Sequence, residues 1–223
     1  MGNGIVRYLA ECVLKVIYSA DENCLICNCT MNNEEFLCKQ CEDKIQHCED
    51  KFYLSQDYKT IECYSSAYYA SVIADMIKRL KYKSDFVSGE FLGKLLIKTL
   101  ERYELEFDLI TFVPMSKKAY RKRGFNQSEF LSHYVSKNIR KPNKRLLTKK
   151  VETMDQIGLD GINRWANLER CFSAVNPLEI KNKKIILIDD VITTGATAFL
   201  CAEQLLKCEA AKVIVLTVAK SRL

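Results

Sequence analysis

Several things are scarce in this sequence, and each scarcity removes a class of protein. Three prolines and eight glycines in 223 residues, beside 48% apolar residues, do not fit a disordered chain. No run of 18 uncharged apolar residues occurs, so no membrane-spanning helix is expected. The first twenty residues carry Arg7, Glu11 and Lys15 inside their apolar pattern, which argues against a secretory leader. The opening Met-Gly is followed at position 6 by Val6, which fails the myristoylation pattern. Internal repeats and low-complexity tracts are missing. Of only two histidines, His133 falls in a helical stretch and reads as a surface or packing residue rather than a catalytic one.

Cysteine, by contrast, is abundant, with eleven residues. Cys24-x-x-Cys27 and Cys38-x-x-Cys41 form two tight pairs ten residues apart. In a reducing cytoplasm such pairs bind metal more often than they form disulfides. Four thiolates at tetrahedral geometry make a closed structural zinc site, which stabilises a module too small for its own core. Cys29 lies within reach as a substitute ligand, with Cys48 and His47 as weaker ones, and a metal-free knuckle or a redox pair is the alternative reading. Cys12, Cys63, Cys171, Cys201 and Cys208 are scattered and read as small core residues.

Charge is uneven. The net charge is +6, yet residues 115–150 hold twelve Lys and Arg against the single acid Glu129, while residues 1–63 hold eleven acids against six bases. An anionic partner at one face follows. The densest part is Lys117, Lys118, Arg121, Lys122 and Arg123, read as a loop ending at Gly124, where glycine permits an unusual turn. With Tyr120 and Phe125 interleaved, this segment suits single-stranded nucleic acid, whose phosphates attract cations and whose bases stack on rings. A merely solvated basic loop is the plainer alternative.

Periodicity predicts helices over 4–18, 72–80, 86–102, 127–139 and 197–207, and strands over 60–70, 108–113, 145–151, 184–188 and 212–218. A long loop is expected over 152–163. Strands alternating with helices imply a largely parallel sheet covered on both faces. The segment Ile185-Ile-Leu-Ile-Asp-Asp-Val-Ile-Thr-Thr-Gly-Ala-Thr197 carries most chemistry. A buried strand ends in Asp189 and Asp190, where open α/β sheets hold their ligands. Thr193, Thr194, Gly195, Ala196 and Thr197 then open a helix, a turn that aims amides at a phosphate. No Gly-Lys-Thr or Gly-Lys-Ser follows, so this is not a Walker A loop. The adjacent acids need a partner other than phosphate, either ribose hydroxyls or a hydrated Mg²⁺.

These thirteen residues resemble the binding motif for 5-phosphoribosyl-1-pyrophosphate (PRPP) in type I phosphoribosyltransferases. The resemblance implies that Asp189 and Asp190 hold the ribose diol, that Thr193 to Thr197 bind the 5′-phosphate with Val191 also in the PRPP site, that PRPP arrives with Mg²⁺, and that Arg123 and its neighbours meet the pyrophosphate. Taken with the cysteine pairs, Ile77-Lys-Arg-Leu-Lys-Tyr-Lys83, Arg123-Gly-Phe-Asn-Gln127, Thr153-x-x-Gln156 and Arg164-x-x-Asn167, the chain is similar to the ComF/ComFC family over nearly its whole length. At Lys149 and Lys150 that family usually has arginines; lysine keeps the charge without the planar fork. The family resemblance implies a cytoplasmic protein, or one peripheral to the inner face of the membrane, that acts on single-stranded DNA in natural competence beside a helicase-like partner. The expected layout is an N-terminal amphipathic helix (1–20), a zinc module (21–58) and a phosphoribosyltransferase-like domain (59–223). Two other functions remain open: a nucleobase phosphoribosyltransferase of salvage, and a noncatalytic PRPP sensor. No base-binding element stands out, so neither the acceptor nor catalysis itself is assigned.

Overall fold

A computed structural model describes residues 23–31, 35–56, 58–150 and 171–222. The expected helix over 4–18, Cys12, the expected loop over 152–163, and Thr153, Gln156, Arg164, Trp165 and Asn167 lie outside the described residues.

Among these, five strands form one sheet in the order β1 (Phe52–Gln56), β2 (Lys59–Tyr68), β7 (Lys212–Lys220), β6 (Lys184–Ile192) and β3 (Leu109–Phe112). All neighbours are parallel except β1, which pairs antiparallel with β2. The inner strands are continuous apolar runs because both faces are covered. Ile186 and Ile188 of β6 face one layer while Ile185 and Leu187 face the other, as the two-residue period requires. The first layer holds α2 (Ser71–Lys83), α3 (Phe86–Arg102) and α5 (Gln127–Ile139). The second holds α7 (Ala196–Lys207) and the hairpin of β4 (Leu147–Lys149) with β5 (Phe172–Ala174). This is the mostly parallel, doubly covered α/β sheet that the phosphoribosyltransferase resemblance implies.

Among the described residues, the cysteine module, with the single-turn α1 (Lys39–Glu42), has no separate core. Cys24, Met31, Leu37, Cys41 and Ile45 are buried in the same cluster as α2 and α3. Arg79 of α2 donates to the Leu25 carbonyl at 2.6 Å, and the Phe36 and Phe91 rings meet edge-on at 5.9 Å.

Three expectations need correction. The basic segment is not a loop: Lys117–Arg123 is a two-turn helix, α4. Ser116 caps it by accepting from the Ala119 amide at 3.2 Å, and Gly124, at φ 83°, closes it in the left-handed region. Phe125 is buried against Phe86 at 5.1 Å and is not available as a stacking ring. Strand β1 was not expected; it pairs antiparallel with β2. The remaining short helix, α6 (Pro177–Ile180), precedes β6.

Candidate functional site

Strand β6 runs on past Ile188 to Ile192, so Asp189 and Asp190 lie inside its last turns of pleat and point to opposite sides. A cleft of about 220 Å³ opens there. Its walls are Val113 to Met115 after β3, Asn126 to Ser128 at the start of α5, and every residue from Asp189 to Ala198. All eight residues expected to hold PRPP therefore line one cleft.

The two acids differ. Asp190 is almost fully buried and forms an ion pair with Lys81 of α2 at 2.7 Å. Asp189 accepts from the Ser128 hydroxyl at 2.8 Å and from the Asp190 amide at 2.9 Å. Burial, together with the charge of Asp190, pushes the Asp189 carboxyl up to about 7 despite those donors. Asp190 is thus paired with a cation, whereas Asp189 is reluctant to ionise.

The phosphate turn follows. Gly195 has φ 79°, and an added Cβ would collide with the Leu54 side chain of β1. Its carbonyl accepts the Phe199 amide at 2.9 Å, the first bond of α7. First-turn amides have no partner within a helix and favour an anion, and Ala196, Thr197 and Ala198 of that turn line the cleft. Thr193, Thr194 and Thr197 are exposed and can add hydroxyls.

The Arg123-Gly-Phe-Asn-Gln-Ser128 run builds the opposite wall. Asn126 caps α5 by accepting from the Ser128 amide at 3.0 Å, and its side-chain amide donates to the Val113 carbonyl at 2.9 Å, locking helix to strand end. Arg123 donates to Gln127, a lining residue, and its guanidinium lies 5.6 Å from the centre of the Tyr82 ring. Lys117, Lys118, Arg121 and Lys122 are exposed on α4 and do not line the cleft, although lining residues bracket that helix on both sides. Sequence reasoning missed Lys81 and Ser128 as partners of the acids. Ile77–Lys83 carried the signal for Lys81, since only its burial inside a helix facing β6 gives that lysine a role. His133 is exposed and its Nδ1 lies 2.9 Å from the Glu129 carbonyl on the helix surface, away from this wall.

In the cysteine module, Cys24, Cys27, Cys29 and Cys38 have their sulfurs within 4.8 Å of one another. Cys41 is buried beside them, its thiol close enough to interact with those of Cys24, Cys27 and Cys38. The Cys27 and Cys38 sulfurs stand 3.6 Å apart, close to the roughly 3.8 Å edge of a tetrahedral site with zinc–sulfur bonds near 2.3 Å. Burial disfavours the Cys24 thiolate, but amides from Cys27, Cys38 and Ile26 outweigh it and bring the thiol down to about 6. Burial and the neighbouring thiols push Cys41 up to about 12, and hydrogen bonding with Cys27 and Cys38 does the same to Cys29. Preformed amide donors around soft ligands are compatible with a structural zinc ion in the cluster of Cys24, Cys27, Cys29, Cys38 and Cys41; the four sulfurs that meet one another most closely include Cys29 where the sequence expected Cys41. Among the described residues no helix is long and apolar enough to cross a membrane.

Comparison with known proteins gives relatives of one kind. The chain is 30% identical to Competence protein F of Haemophilus influenzae over 188 residues, 79% of this chain and 81% of the relative. It is 31% identical to Competence protein ComFC of Streptococcus pneumoniae, covering 79% and 71%. It is 27% identical to DNA utilization protein YhgH of Escherichia coli K12, covering 85% and 86%. No family model matches. Among solved structures, glutamine PRPP amidotransferase from B. subtilis aligns at 22% identity over 58% of this chain and 25% of that one, with a TM-score of 0.41. Adenine phosphoribosyltransferase from Thermoanaerobacter pseudethanolicus aligns at 12% identity over 82% and 98%, also at a TM-score of 0.41.

Proposed function

The chain belongs to the competence protein F/ComFC family, and from that premise we propose that it holds PRPP in the β6–α7 cleft and acts with single-stranded DNA during DNA uptake. The observation that carries the proposal is the meeting, around one cleft, of an acid pair and a glycine turn at a helix N-terminus. The amides of that turn and the three threonines take the 5′-phosphate. Asp189 and Asp190 accept from the ribose hydroxyls. Lys81 and the cations of α4, which stand around the cleft, would offer positive charge to the pyrophosphate of PRPP bound with Mg²⁺. Were transfer to occur, the C1–O bond would break with its electron pair leaving on pyrophosphate while an acceptor nucleophile bonds to C1, and fixed positive charge beside the leaving anion would lower that barrier. A zinc ion on Cys24, Cys27, Cys38 and Cys41 serves the fold, not the chemistry.

Calorimetry with Mg²⁺ and PRPP tests the pocket. The wild type is expected to bind, and Asp189→Ala or Asp190→Ala to lose roughly 10- to 100-fold in affinity, the worth of a hydrogen bond to a charged group. Unchanged affinity in both variants, or no binding by the wild type, rejects the assignment. Pyrophosphate release on adding single-stranded DNA separates a transferase from a protein that only binds PRPP.

A further inference from the structure

We infer that Tyr82 is a stacking platform for one base of single-stranded nucleic acid at the edge of the cleft, oriented by Arg123; the inference rests on the reading that a strand binds this face. Tyr82 sits in the last turn of α2 and is 75% exposed. A lone exposed ring needs no explanation. This one is tied to the cleft from both sides. The preceding residue, Lys81, reaches inward to Asp190, which places the helix end against β6. Arg123 lies over the Tyr82 ring and also donates to Gln127, which lines the cleft.

A guanidinium within about 6 Å of an aromatic ring centre holds the ring by cation–π attraction. At 75% exposure, the ring keeps ample free surface for a nucleobase. Every base has a π-face, so such a contact is tolerant of sequence. The neighbouring α4 supplies Lys117, Arg121 and Lys122 for the phosphates that flank a stacked base. Of the two rings that the sequence suggested for this role, Phe125 is buried and Tyr120 is 40% exposed on α4, while Tyr82 offers the larger free ring, with Arg123 linking it to the cleft wall.

The test uses fluorescence anisotropy with a short labelled oligothymidylate and an abasic deoxyribose-phosphate strand of equal length. Tyr82→Ala is expected to weaken oligothymidylate binding by roughly tenfold and to leave abasic binding unchanged, and Tyr82→Trp to restore it. Arg121→Gln with Lys122→Gln should weaken both strands and flatten the salt dependence. If the wild type binds and Tyr82→Ala costs nothing, or costs the same on both strands, the platform is wrong while the strand-binding reading stands. If the wild type binds neither strand, that reading fails and takes the platform with it.

Discussion

Asp189 and Asp190 are adjacent in sequence and meet opposite electrostatic fates. Asp190 is buried with Lys81, so removing the lysine strands a charge in a low-dielectric site. Lys81→Ala is expected to destabilise the protein by about 3–5 kcal/mol in urea unfolding, and adding Asp190→Asn to recover most of that loss. A single-variant cost near zero would mean that the pair contributes nothing. Asp189 gives a pH signature. Its carboxyl is pushed from 3.8 to about 7, so between those values the folded chain binds more protons than the unfolded one. Stability from this group therefore falls as pH rises through that window. Asp189→Asn should flatten the decline and be the more stable protein above it; parallel pH profiles for the two proteins would refute the shift.

At the scale of elements, β1 and α4 alter what the cleft is. Strand β1 lays Leu54 against Gly195, so the phosphate turn is closed from the sheet edge as well as by its own φ of 79°. Gly195→Ala should cost about 1–3 kcal/mol from the left-handed backbone alone. It should lose more through Leu54, and Leu54→Ala combined with it should return that second part. Additive losses in the double variant would contradict the contact. Helix α4 matters through its shape. As a loop, its five cations would scatter; as a capped helix of two turns, it presents them from one rigid rod beside the cleft.

Across the whole molecule, a mechanical line joins the cysteine module to the cleft. Leu25 in the first knuckle accepts from Arg79, Arg79 and Lys81 share α2, and Lys81 meets Asp190. The module has no core apart from the one it shares with α2 and α3. Stripping zinc with a chelator is therefore expected to lower the melting temperature by about 5–15 °C and to weaken PRPP binding, not merely to loosen a tail. Melting that ignores both chelator and Cys24→Ser would show the module to be independent of metal.

The sequence by itself determined the alternating α/β order, the acid pair ahead of a glycine turn, and the paired cysteines, because each depends on residues close together along the chain. Apolar period, turn chemistry and ligand spacing are local quantities. Strand β1 escaped because an edge strand, half exposed with an alternating pattern over five residues, carries little apolar signal. The basic helix escaped because it buries no residue and so shows no stripe. Tertiary structure alone decided that Lys81 neutralises Asp190, that Ser128 holds Asp189, that Leu54 closes the turn and that Phe125 is core while Tyr82 is exposed. Each of those pairs lies far apart in sequence, or turns on which side of a helix faces the sheet, and both are settled only when the layers pack.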